Sequence, residues 1–151
     1  MNGSPLRRRL LWLLLFGLAG TTAELTLLEH YEDVRMVIPF VAVAAAVAGS
    51  VARLLRPSAA TVRWLRVSMI PMLVAGAAGV YLHYLGGVEF QRDMDPTLSR
   101  WQMLWKVLHM QAPPMLAPGM LVQFALLGLA STFRDPLIHS SGADRATGGH
   151  P

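Results

Sequence analysis

Four long apolar runs govern what this chain can become: Leu10–Leu28, Met36–Leu55, Val67–Gly86 and Pro118–Ile138. A helix crosses the hydrocarbon core with about 20 apolar residues, and each run reaches that length. Strands are a poor alternative, because lipid tolerates only helices or closed barrels and these runs lack a barrel strand's alternation. Hydrophobic residues make up 54% of the 151, above the soluble norm of about 45–50%. The expected fold is an all-α membrane protein, a single domain over 1–138. It reads as an antiparallel four-transmembrane-helix bundle with spans at 10–28, 36–55, 67–86 and 118–138.

Charge supplies the orientation. Arg7, Arg8 and Arg9 precede the first run, Arg53, Arg56, Arg63 and Arg66 join the second to the third, and Arg134 and Arg145 follow the fourth. The other connections hold only Arg35, Arg92, Arg100 and Lys106 among the 13 basic residues. By the positive-inside rule both termini are expected in the cytoplasm, in a multi-pass protein of a bacterial inner membrane. The net charge of +4 therefore reads as topology signals and contacts with anionic lipid, not as a nucleic-acid surface. Cysteine is absent, which removes disulfides, thiolate nucleophiles and Cys-ligated zinc. "RRRLLWLLLFGLAGTTA" also has the outline of a cleavable signal peptide. The apolar run continues as "LTLL" beyond Ala23, so an uncleaved span is the expectation.

Other features refine the layout. Pro39 lies one turn into the second span and is expected to kink its outer end. The one long connection, Gly87–Ala117, carries a predicted amphipathic helix over 96–110, with Asp95-Pro96 as N-cap and first-turn proline. Leu98, Trp101, Leu104, Trp105 and Leu108 share one face of it, so it should lie on the outer membrane surface. Trp101 and Trp105, with Trp64 between spans two and three, are the expected interface anchors. The tail 139–151 is polar and Gly-rich and reads as a disordered cytoplasmic segment.

The segment Glu29–Arg35 is charged but sits where a chain leaves the membrane and turns back, so water and headgroups account for it. The candidate site lies deeper. Glu24, His83 and Gln123 all fall in the outer third of their spans. Glu24 shares a face with Gly17, Gly20 and Thr21, and His83 with Ala75, Gly76 and Gly79. Small stripes mark close helix contact, so both side chains are expected inside the bundle. An ionisable group at such depth is costly unless paired. The expectation is a buried polar layer of Glu24, His83 and Gln123, able to serve packing alone or to handle a proton or ligand.

Metal or haem is a further candidate. His30, His83 and His109 lie on the outer side with six methionines (Met36, Met94, Met103, Met110, Met115 and Met120). Imidazole and thioether suit copper, and paired histidines suit haem, although no strict ligand spacing supports either. A quinone headgroup would take its donors from His83 and Gln123. No G-x-S-x-G, P-loop, H-E-x-x-H or dinucleotide fingerprint is present.

"LHYLGGVEF" together with "HYEDVRMVIPF" resembles small uncharacterised bacterial four-span inner-membrane proteins, a likeness of layout that carries no activity. A carboxylate in the first of four helices is similar to small multidrug-resistance transporters, which use one for proton exchange. The likeness covers Glu24 and the helix count only, and the long outer connection departs from that family's tight loops. The expected role is a non-enzymatic accessory or scaffolding subunit, packed in the lipid bilayer against its own copies as a homo-oligomer or within a larger membrane complex. The alternative is a cofactor-, quinone- or metal-binding or proton-coupled protein.

Overall fold

The computed structural model describes residues 5–29, 36–110 and 118–138, and all of the regular structure within them is helical. The elements are α1 (Pro5–Leu27), α2 (Ile38–Leu55), α3 (Ala59–Met94), α4 (Arg100–Leu108) and α5 (Gly119–Ser131). The first three are long and apolar enough to cross a membrane, which marks the chain as a membrane protein. The expected disordered tail, 139–151, lies outside the described residues.

Local chemistry sets most helix ends. Pro39 is the second residue of α2, where its missing N–H would have no partner anyway, so it starts the helix and does not kink it. The α3 helix begins at Ser58, whose hydroxyl accepts from the Thr61 N–H while the Thr61 side chain accepts from the Ser58 N–H. It runs for 36 residues, about 54 Å at 1.5 Å per residue, well beyond the expected 67–86. Arg63 and Arg66 extend it at one end, since arginine is a good helix former. At the other it continues to Met94 and stops before Asp95-Pro96, where proline disfavours helical geometry in the preceding residue.

Asp95 was expected to cap α4. Instead its carboxylate accepts from the N–H and hydroxyl of Thr97, closing the turn. Ser99 is the N-cap, in a reciprocal box with Gln102. The helix is accordingly shorter than the expected 96–110.

The fourth apolar run does not stay helical to Ile138. The α5 helix covers 13 residues, about 20 Å against a core of about 30 Å. Pro136 again sets the limit, because Asp135 before it cannot easily remain helical. Arg134 takes a left-handed φ of 48°, and the chain then makes one new helical turn over 136–138.

The four longer helices pack in a cycle. The α1 helix lies against α2 and α5, and α3 lies against the same two. Leu11, Leu14 and Leu18 of α1, Ala42, Val43 and Ala46 of α2, Leu65, Met69 and Met72 of α3, and Leu121 and Ala125 of α5 form one core. Apolar burial drives association weakly when the alternative surroundings are lipid, so close fit has to hold such a core. Gly49 and Gly76 provide that fit. A Cβ on Gly49 would lie 3.2 Å from the Leu65 Cα, and one on Gly76 would lie 3.0 Å from the Pro118 carbonyl and the Val122 N–H.

The α4 helix folds back on α3. Met103 and Val107 are buried against Tyr84, Val88 and Leu98, with Val107 filling the space above Gly87. The face containing Trp101 and Trp105 points outward. The helix thus has two apolar faces where sequence periodicity indicated one.

Candidate functional site

The polar groups that bind these helices together lie at the arginine-rich end. Asp135, 1% exposed, accepts at 2.8 Å from a guanidinium nitrogen of Arg53, which is 6% exposed. The second carboxylate oxygen accepts from the Leu137 N–H. Arg53 lies in the last turn of α2, whereas Asp135 is fixed by the turn that ends α5. Two buried charges are costly to remove from water. Here each is the other's counterion, and the Leu137 N–H adds a hydrogen bond to the carboxylate.

Two further arginines grip the same end of α5. Arg66 of α3 donates from Nε to the Thr132 hydroxyl (3.1 Å) and from Nη2 to the Thr132 carbonyl (2.6 Å). The Thr132 hydroxyl in turn donates to the Leu129 carbonyl. Arg7 of α1 donates to the carbonyls of Phe133 (3.3 Å) and Arg134 (3.0 Å). The last carbonyls of a helix lack partners within it and carry the negative end of its dipole. Guanidinium groups satisfy both requirements, and the planar fork of Arg66 takes two acceptors of one residue. The start of α1, the end of α2 and the start of α3 thereby converge on the end of α5.

Burial pushes the Asp135 carboxyl up. The hydrogen bonds from Arg53 and Leu137, with the charges of Arg53 and Arg7, outweigh it and hold the group below its ordinary value. Asp95, at the far end of α3, is also held low, first by its hydrogen bonds from Thr97 and then by the charge of Lys106.

The expected outer layer is not assembled. Glu24 and Gln123 are exposed on the outside of the bundle, and His83 is half-buried. Between described residues, no hydrogen bond or ion pair joins Glu24 or Gln123 to another side chain. The reason lies in the packing cycle. Gly76 and Gly79 of α3 receive Val122 and Pro118, so the His83 stripe faces α5. Gly17 of α1 receives Phe124, whereas Gly20 meets nothing among the described residues, so the small stripe of α1 is only half used by them and Glu24 lies off its packed edge.

Two histidines, His83 and His109, are among the described residues. His30 lies outside the described residues. His109 ends α4, where its ring stacks on Trp105 at 4.0 Å and its Nδ1 lies 2.8 Å from the Trp105 carbonyl. A carbonyl can only accept, so Nδ1 carries the proton. Among the described residues no group of three or more His, Asp or Glu could hold a metal ion. Trp64, Trp101 and Trp105 are exposed by 62%, 72% and 58%, and Trp12 of α1 is exposed as well. Trp101 and Trp105 flank an open groove on α4 together with Leu98, Gln102 and the exposed Asp95–Lys106 pair.

Sequence reasoning placed Arg53 and Arg66 among topology signals and missed their structural role. One signal was available: Asp135 stands next to Arg134 near the end of the fourth apolar run, among the basic connections, and an acid inside an apolar run invites a counterion. Comparison with family models, curated proteins and solved structures finds no match, so functional inference rests on the residues alone.

Proposed function

We propose that this chain is a non-enzymatic accessory or scaffolding subunit of a bacterial inner membrane, related to the small four-span proteins its layout resembles. In this reading α1, α2, α3 and α5 form an antiparallel four-span bundle with both termini cytoplasmic. The α4 helix then stands against the outer part of α3. The basic end is the cytoplasmic one, following the charge bias.

One observation carries the reading. Two polar side chains, Glu24 of α1 and Gln123 of α5, lie on the outside of apolar helices. Gln123 stands nine residues before Thr132, about 13 Å along the helix from the arginine-rich end, which in this reading leaves it inside the hydrocarbon and deeper than the outer third its sequence position suggested. An amide facing lipid there lacks partners, and polar side chains in this position commonly join helices to other helices. A second polypeptide, another copy or a larger complex, would cover it. The tryptophan face of α4 offers a second contact on the outer side, since exposed Trp is a frequent interface anchor.

The test is the mass of the protein–detergent assembly extracted from native membranes. The expected result is an assembly larger than one chain that Gln123→Leu, or Trp101→Ala with Trp105→Ala, dissociates while helicity persists. A single chain for the wild type overturns the proposal. A Soret band or stoichiometric copper in the same sample would overturn it in favour of cofactor handling.

A further inference from the structure

Seven described arginines at the basic end fall into two sets, apart from Arg134, whose guanidinium lies over the Phe133 ring. Arg7, Arg53 and Arg66 are engaged with the end of α5. Arg8, Arg9, Arg56 and Arg63 are exposed, and none of them is paired with an acid among the described residues. Each unengaged arginine is a near neighbour of an engaged one. Arg8 and Arg9 follow Arg7, Arg56 comes three residues after Arg53, and Arg63 comes three before Arg66. The engaged arginines converge on one helix end, so they set the unengaged ones at a common level around it. Trp64 is exposed beside Arg63.

We propose that Arg8, Arg9, Arg56 and Arg63 form a binding surface for the phosphate groups of anionic phospholipids in the adjacent leaflet. The inference rests on the membrane reading but not on the scaffolding role. Charge complementarity selects the ligand. Asp135 is the one acidic side chain at this end among the described residues, and Arg53 neutralises it, so the remaining charge that the described residues place there is positive. Helices leaving an apolar core bring that field to headgroup level, where anionic lipid is the counterion at hand. Guanidinium groups present paired donors that match phosphate oxygens. The division of labour is the new element: one set of arginines fixes the helices, and the other set reads the lipid.

The experiment uses the full chain in nanodiscs of phosphatidylcholine mixed with phosphatidylglycerol, with retained lipid counted by native mass spectrometry. The wild type is expected to retain phosphatidylglycerol preferentially, and the preference should weaken as salt rises. Each arginine removed should lower it about fivefold. Arg56→Gln with Arg63→Gln, or Arg8→Gln with Arg9→Gln, should therefore reduce it by more than an order of magnitude. The melting temperature in pure phosphatidylcholine should not change. Arg66→Gln should behave in the opposite way, lowering that melting temperature while leaving the preference in place. Insertion with equal retention of the two lipids overturns this inference alone, whereas a chain that does not enter the disc overturns the membrane reading with it. Capture of an RNA oligonucleotide through the same four arginines, without lipid preference, also overturns it.

Discussion

Asp135 and Arg53 illustrate why a buried charge is informative only with its partner. Asp135→Asn should destabilise the protein by about 3–5 kcal/mol, because it strands the Arg53 charge in a closed site. Replacing both with apolar residues of similar size should recover most of that loss, as measured by thermal unfolding in detergent. The pH dependence follows from the direction of the shift. The folded carboxyl titrates below its unfolded value of about 3.9, so its contribution is complete above that value and disappears as pH falls through the lower folded pKa. Stability from this group should be flat from neutral pH to about pH 4 and decline below it; a decline beginning near pH 6 would contradict the assignment. Glu29 differs in kind. It ends α1 at a left-handed φ of 52°, a conformation that costs an L-residue about 1–2 kcal/mol. Glu29→Gly should therefore raise stability by about 1 kcal/mol in the same assay.

Among the helices, α4 gives the sharpest lesson about what periodicity can and cannot convey. Leu98, Trp101, Leu104, Trp105 and Leu108 are an apolar face in the sequence, and Trp101 and Trp105 remain exposed. Met103 and Val107 were not assigned a face, yet they are the residues α3 buries. The explanation is Gly87: the missing side chain opens a recess on α3, and recesses on a partner helix leave no trace in the periodicity of the helix that fills them. A Cβ there would meet Val107 at 2.7 Å. Gly87→Leu should thus release α4 at a cost of about 1–3 kcal/mol, read as a change in tryptophan emission and faster proteolysis within 95–99. Three long apolar helices were legible because hydrophobic length is a local property. The packing cycle was not, because it depends on which helix each glycine meets. For the same reason Glu24 and His83 could each be given a depth but not a neighbour.

Among the described residues, the side-chain bonds between helices are gathered in one place. Between described residues, every side-chain hydrogen bond that joins two of the four core helices, or one of them to the turn after α5, lies at the arginine-rich end. The charge count foresaw that end only as an address. Its arginines proved to include the fasteners of the fold, a role that needs the carbonyls of Thr132, Phe133 and Arg134 brought within reach. Since those fasteners share one acceptor segment, the turn after α5, their losses should not be additive. Arg53→Ala combined with Arg66→Ala should cost measurably less than the sum of the two single changes, tested by a double-mutant cycle in denaturant. A bundle fastened at this end should resist opening there most strongly. Amide hydrogen exchange should be slowest around Ser50–Arg53, Leu65–Met69 and Gly128–Thr132 and quicken along α1 toward Glu24. Like a sheaf with a tie near its base, the bundle keeps its helices in order even where a single contact higher up is lost.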